Sequence, residues 1–198
     1  MKKALLIAFV LLVAVTSTAC INNIAVQELN NKAAEYMQKG DYEAAMSRLQ
    51  ASIDLDNTMY QTYYNLGVAS INANRYDKAV EALENGIKLN PEFNDFYYSL
   101  GVAQIGLADE IYEKANVEEE VDADTEKNTV DIKRDITDEE KANVIELKTK
   151  ALENLNLYLE KVPNSDDKDS VQEMIKQCEE FISQNSPSDK VKSEKKED

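Results

Sequence analysis

The feature that most constrains this 198-residue chain is an internal repeat with a period of 34 residues. Segments 26–59 and 60–93 align without a gap, so small, aromatic and aliphatic residues recur at the same positions. A period of this length is typical of solenoids, in which one supersecondary unit stacks on its neighbours. The recurring pairs are Ala33 and Gly67, Tyr42 and Tyr76, Ala45 and Ala79, Leu49 and Leu83, Ile53 and Ile87, and Leu55 and Leu89.

Each copy is predicted to be a pair of antiparallel helices. Leu49 and Ile53 are spaced to face a helical seam, and small residues at the recurring positions allow two helices to approach closely. Gly40 stands where the first hairpin must turn, and Asn74 stands at the same place in the second. Pro91 ends the second copy, where its missing N–H does no harm. The pattern therefore favours an all-α fold.

This pattern resembles the tetratricopeptide repeat, with Leu29 and Tyr63 in place of the tryptophan of that family. The resemblance implies a short right-handed solenoid of about three antiparallel helical hairpins that ends in a C-terminal capping helix. It also implies a chain that works by holding another protein. The alternative is a set of antiparallel helices that belongs to no named family.

A third copy starts at Asn94 but is interrupted. Its first half carries Gly101 in the register of Gly67, whereas its second half is displaced by about 38 residues. Insertions in solenoids usually map to turns on one face. The first half repeats Tyr97, Leu100 and Gly101, and the second half repeats Ala151, Leu155, Tyr158, Leu159 and Pro163.

The inserted segment, about 109–137, is strongly acidic, and its middle cannot bury enough apolar surface to fold alone. We expect its ends to prolong the flanking helices, with Thr137 and Glu140 forming a capping box. The insertion does not match the motif of a calcium-binding loop, because Lys127 stands where glycine is needed and Lys133 stands where glutamate is needed. A solvated acidic loop is the favoured interpretation.

The N-terminus has the three parts of an export signal, with two lysines, a short apolar run and small residues. Residues 17–20 resemble a bacterial lipobox, which implies a diacylglycerol and acyl lipid on Cys20 as the mature N-terminus. The same resemblance implies the outer membrane, because Ile21 and not Asp follows the cysteine. The open alternative is cleavage by an ordinary signal peptidase, which would release a periplasmic or secreted soluble protein.

The predicted organisation follows from these patterns. We expect a signal peptide (1–19), a tether (20–25), a first repeat (26–59), a second repeat (60–93), a split third repeat (94–163), a capping helix (164–184) and a disordered polar tail (185–198).

Composition excludes several functions. The net charge of −16 opposes nucleic-acid binding, because phosphates must be neutralised by Lys and Arg. The chain has no histidine, so the commonest general base and zinc ligand are absent. Cys178 lies on the apolar stripe of the last predicted helix, where an inert thiol is expected. We therefore expect neither an enzyme nor a metal site, and no cofactor besides the lipid on Cys20.

The resemblance implies a groove lined by the first helix of each hairpin. A subfamily grips a peptide carboxylate there, but only Asn65 matches that clamp, while Asn30, Asp95 and Ser99 occupy its Lys and Arg positions. A groove of tyrosine and aliphatic residues is expected instead. Register places Gln27, Ala34, Gln38 and Asn72 on this face, and the candidate partner residues are Asn30, Met37, Gln61, Tyr64, Asn65, Val68, Ile71, Tyr98, Val102 and Ile105.

The combined interpretation is an exported, lipid-anchored scaffold or adaptor that binds a protein or peptide at the cell envelope. Three alternatives stay open. The N-terminal segment or the capping helix could cover the groove, the chain could be a structural homo-oligomer, or the acidic insertion could bind cations or a solute.

Overall fold

The computed structural model describes residues 23–116 and 136–186, which form seven helices and no strand. One compact unit ends at Phe93 and a second begins at Asn94. The first unit contains α1 (23–38), α2 (Tyr42–Leu55), α3 (Tyr60–Asn72) and α4 (Tyr76–Leu89), and the second contains α5 (Asp95–Asn116), α6 (Asp138–Lys161) and α7 (Lys168–Asn185).

The turns inside the two hairpins of the first unit have the same backbone conformation. Gly40 has a φ of 74° and Asn74, one repeat later, has a φ of 55°. This left-handed region suits glycine and, among other residues, asparagine. The next helices begin at Tyr42 and Tyr76, which occupy the same position in the repeat. Asp41 caps α2, because its side chain accepts the Ala44 N–H at 3.1 Å.

The core of the first unit consists of the recurring residues. Ala45, Leu49, Ala79 and Leu83 are fully buried, as predicted for residues that face the seam. α3 packs on both α2 and α4. Gly67 lets α3 approach α4, since a Cβ at that position would lie 2.5 Å from the Leu83 side chain. The small residues of the repeat therefore fix how closely its helices approach.

In the second unit, α5 packs on α6 and α6 packs on α7. The prediction that the ends of the insertion prolong the flanking helices is confirmed for the first end, because α5 runs to Asn116, whereas α6 starts at Asp138, directly after the predicted end of the insertion. The capping box is also confirmed: Thr137 Oγ1 accepts the Glu140 N–H at 3.2 Å, and the Glu140 carboxylate accepts the Thr137 N–H at 3.1 Å.

Two helices differ in extent from the sequence prediction. α1 already includes residue 23, the first described residue, which lies inside the predicted tether, and α7 begins at Lys168 rather than at 164. The hydroxyl of Ser165 accepts the Asp167 N–H at 3.2 Å and bonds to the Tyr158 hydroxyl at 2.8 Å, so the chain turns before α7 starts.

Several predicted features lie outside the described residues. They are the signal peptide, Cys20, most of the tail, and the middle of the acidic insertion, which includes the segment tested against the calcium-loop motif. In the described ranges, no helix combines the length and apolar character needed to span a membrane.

Candidate functional site

The first helices of the two hairpins in the first unit enclose a cavity of about 360 Å³, which we call the amide pocket. Five of its six lining side chains are carboxamides and none is ionisable. A carboxamide donates and accepts hydrogen bonds, so the pocket offers both functions without a charge. The lining residues are Gln27, Asn30, Asn31, Met59, Gln61 and Asn65.

The repeat generates the pocket. Gln27 and Asn31 lie one turn apart on α1, and Gln61 and Asn65 occupy the same positions 34 residues later on α3. Residues four apart lie on the same face of a helix. Two equivalent pairs of carboxamides therefore meet at one cavity. This meeting results from the stacking of two repeats in the same register.

Asn30 supports the pocket from within the unit. Its amide nitrogen donates to the Val26 carbonyl at 2.9 Å and to the buried Ser52 hydroxyl at 2.7 Å. Its oxygen accepts from the Thr62 hydroxyl at 3.2 Å. Because these bonds use both hydrogens of the amide, Asn30 is fixed in one orientation and links α1, α2 and α3.

The other carboxamides retain capacity for a ligand. Gln27 donates to the Asn23 side chain at 2.7 Å. The side chains of Asn31, Gln61 and Asn65 make no hydrogen bond with any residue that the structure describes. Asn31 and Gln61 are exposed and Asn65 is half-buried, so all three can reach a bound molecule.

The structure brings together three of the predicted partner residues, Asn30, Gln61 and Asn65. At this place the predicted groove is polar, with Met59 as its single apolar lining residue, rather than the expected surface of tyrosine and aliphatic side chains. Met59 and Asn31 were not among the predicted residues. The repeat register could have identified Asn31, because it is the equivalent of Asn65.

The other predicted residues of the first unit do not line the amide pocket. The Tyr64 ring packs edge-on against Phe93 with centroids 5.0 Å apart, and Phe93 also contacts the Tyr60 ring at 5.4 Å. Met37 packs against the core of the first hairpin. Val68 and Ile71 are half-buried on α3. A ligand role for these residues stays a prediction.

The predicted residues of the second unit lie against its own helices. The Tyr98 ring is 5.4 Å from that of Tyr158, and burial raises the pKa of the Tyr98 hydroxyl, with Asp167 and Tyr158 acting in the same direction. Tyr98 and Ile105 pack on the cluster to which α7 contributes Val171, whereas Val102 is half-buried. A ligand role for Tyr98, Val102 and Ile105 stays a prediction.

The described residues contain no group of three or more Cys, Asp and Glu placed to hold a metal ion. Cys178 is buried, and this burial raises the pKa of its thiol.

Comparison with known proteins identifies the type of fold. The family model described as "Tetratricopeptide repeat" matches residues 36–105. No curated protein matches this sequence.

Three solved structures are similar in fold. The first TPR domain of human RPAP3 is 15% identical, with 82% of this chain and 96% of that chain covered at a TM-score of 0.55. The Arabidopsis OM64 TPR domain is 11% identical, and the match covers 79% of this chain and 96% of that chain at a TM-score of 0.56. The first TPR of Spaghetti (RPAP3), bound to the HSP90 peptide SRMEEVD, is 14% identical. This match covers 80% of this chain and 93% of that chain at a TM-score of 0.55. Residues 36–105 therefore match the tetratricopeptide repeat, and the fold of the described residues is an all-α solenoid of the tetratricopeptide type.

Proposed function

We propose that this chain is a non-catalytic interaction protein that binds an extended segment of a partner polypeptide in the amide pocket. The observation that carries the proposal is the equivalent pairs Gln27 and Asn31, and Gln61 and Asn65, around one uncharged cavity. An extended backbone presents N–H and C=O groups along its length, and a carboxamide can bond to both.

The similar structure of Spaghetti (RPAP3) with an HSP90 peptide supports the general role, because that protein holds a short peptide on the same fold. That peptide ends in acidic residues, whereas the amide pocket has no basic lining residue. We therefore propose a partner segment that is recognised through its backbone and without a requirement for charge.

The test is partner capture with a double variant, Gln61→Ala with Asn65→Ala. We expect at least one protein that co-purifies with the wild type to be lost, as measured by quantitative mass spectrometry. The matched control is Asn156→Ala, which removes an exposed carboxamide from α6, outside the predicted groove and outside the amide pocket. Identical partner sets for the double variant and the wild type would contradict the proposal.

We also propose that the chain is exported and anchored to a bacterial membrane, preferably the outer membrane, by lipid on Cys20. The support is the sequence alone, in which a short apolar run and small residues precede this cysteine. The intact mass of the mature protein, compared with that of a Cys20→Ser variant, tests it. A mature wild type without the mass of acyl chains would instead favour a soluble periplasmic or secreted protein.

A further inference from the structure

A second cavity of about 490 Å³ lies in the first unit between the second helices of its two hairpins, α2 and α4. We call it the second-helix groove. Tyr63 and Leu66 of α3 form its floor, and Met46, Ile53 and Ala82 add apolar surface from the walls. Tyr63, Leu66 and Ile53 are only partly buried, so apolar surface faces the groove.

The groove is separate from the amide pocket. No lining residue is shared between the two cavities, and α1 contributes only to the amide pocket. Each residue rotates a helix by about 100°, so Tyr63 and Leu66 lie about 150° around α3 from Gln61 and Asn65. The two cavities therefore open on opposite sides of α3.

The dimensions of the groove fit a helix. On α2 its lining runs from Glu43 to Ile53, which corresponds to about 15 Å of helix. On α4 it runs from Lys78 to Asn85. A cleft of this length between two helices, with an apolar floor, can bind a helix of another polypeptide. The apolar side chains of that helix at i, i+3 or i+4, and i+7 would pack into the cleft.

Charge indicates the kind of helix. Glu43 at the rim is paired with Arg75, with Nε and Oε1 2.9 Å apart. Glu81 is exposed and forms no ion pair or hydrogen bond with any described residue. The whole chain carries 38 acidic and 22 basic residues, and such a field attracts cationic partners. Lys78 also lines the rim and opposes a cation there.

We propose that the second-helix groove binds a basic amphipathic helix of a partner protein. The apolar ridge of that helix packs on Tyr63 and Leu66, and one of its Lys or Arg side chains pairs with Glu81. This site is independent of the amide pocket, and the two together let one chain hold two polypeptides at once, which is what an adaptor requires.

The experiment measures binding of a labelled helical peptide of about four turns to the full chain by fluorescence anisotropy. The peptide carries leucine at i, i+3 and i+7 and lysine on its flanks. We expect saturable binding that Glu81→Lys weakens about tenfold and Lys78→Glu strengthens. Glu35→Lys on α1, an exposed change of equal charge outside the groove, is the matched control and should leave binding nearly unchanged.

Three results would overturn the assignment. They are no binding of the basic peptide, equal binding of a scrambled peptide of the same composition, and equal weakening by Glu81→Lys and Glu35→Lys. Self-association in sedimentation that Glu81→Lys abolishes would assign the groove to a second copy of this chain instead. The variant with Gln61→Ala and Asn65→Ala should bind the peptide like the wild type, so this result is distinguishable from failure of the amide-pocket proposal.

Discussion

Two glycines one repeat apart occupy positions where a side chain would collide with a buried leucine. A Cβ on Gly67 would lie 2.5 Å from Leu83, and one on Gly101 would lie 2.7 Å from Leu155. Both leucines are fully buried, so neither can move aside into solvent. The repeat thus specifies a close helix contact through the absence of one methyl group.

We expect Gly67→Ala to destabilise the first unit. Overpacking costs about 1–3 kcal/mol, while alanine regains about 1 kcal/mol of helix propensity over glycine. The free energy of unfolding from urea denaturation should therefore fall by up to about 2 kcal/mol. The same substitution in a Leu83→Ala background should cost less, because the colliding atoms are gone. An equal cost in both backgrounds would contradict the contact.

The left-handed turn residues provide a second prediction. Asn74→Gly should be nearly neutral and Asn74→Ala should cost about 1 kcal/mol, because alanine tolerates a positive φ poorly. Gly40→Ala should cost a similar amount, although no atom lies within 4 Å of the added Cβ. Thermal melts of the three variants measure this. A neutral Gly40→Ala would show that the turn relaxes to another conformation.

At the scale of the element, α6 is tied to both of its neighbours by one buried lysine. The Lys148 ammonium is 2.6 Å from an Asp109 carboxylate oxygen on α5 and 4.9 Å from the centre of the Phe181 ring on α7. The side chain of Lys148 is 7% exposed, so its charge depends on these two contacts. This arrangement orients three helices with one residue.

Removal of the carboxylate should therefore harm the second unit more than removal of the whole pair. We expect Asp109→Ala to lower the free energy of unfolding by about 2 kcal/mol, since it leaves a buried ammonium without its anion. The double variant Asp109→Ala with Lys148→Met should recover much of this loss in urea denaturation. No recovery would indicate that the destabilisation arises from lost packing instead.

Elements were more predictable from sequence than the contacts between them. The capping box at Thr137 depends only on residues three apart, and the start of α2 depends on the local turn, so local patterns sufficed. The contact of Phe93 with Tyr64 depends on how the chain turns after α4, which no periodicity encodes. The polar character of the amide pocket differs from the predicted groove because stacking places Asn31 beside Asn65 at one cavity.

At the scale of the whole molecule, acidic residues outnumber basic ones. The chain forms two compact units, and each unit has its own core. The stability of each unit can therefore be followed by groups that it alone contains. In the second unit, one such group is Tyr98, whose hydroxyl packs against α6 and has a raised pKa.

Tyr98 makes the second unit sensitive to alkali. Its pKa is above 10.0 in the folded chain and returns to about that value on unfolding. The unfolded state therefore loses its proton first as the pH rises through 10, so this stabilisation is complete below pH 10 and is lost above it. We expect Tyr98→Phe to reduce the fall in stability above pH 10 in urea titrations. An unchanged slope would contradict the burial of this hydroxyl.

The amide pocket contains no ionisable side chain, and this distinguishes its response to salt from that of the second-helix groove. Added salt screens the attraction between Glu81 and a cationic helix but has little effect on hydrogen bonds between neutral amides and a backbone. If both proposals hold, a rise in ionic strength would release the basic helix while the extended segment stays bound. Ionic strength would thus set how many of these two proposed partners one chain holds.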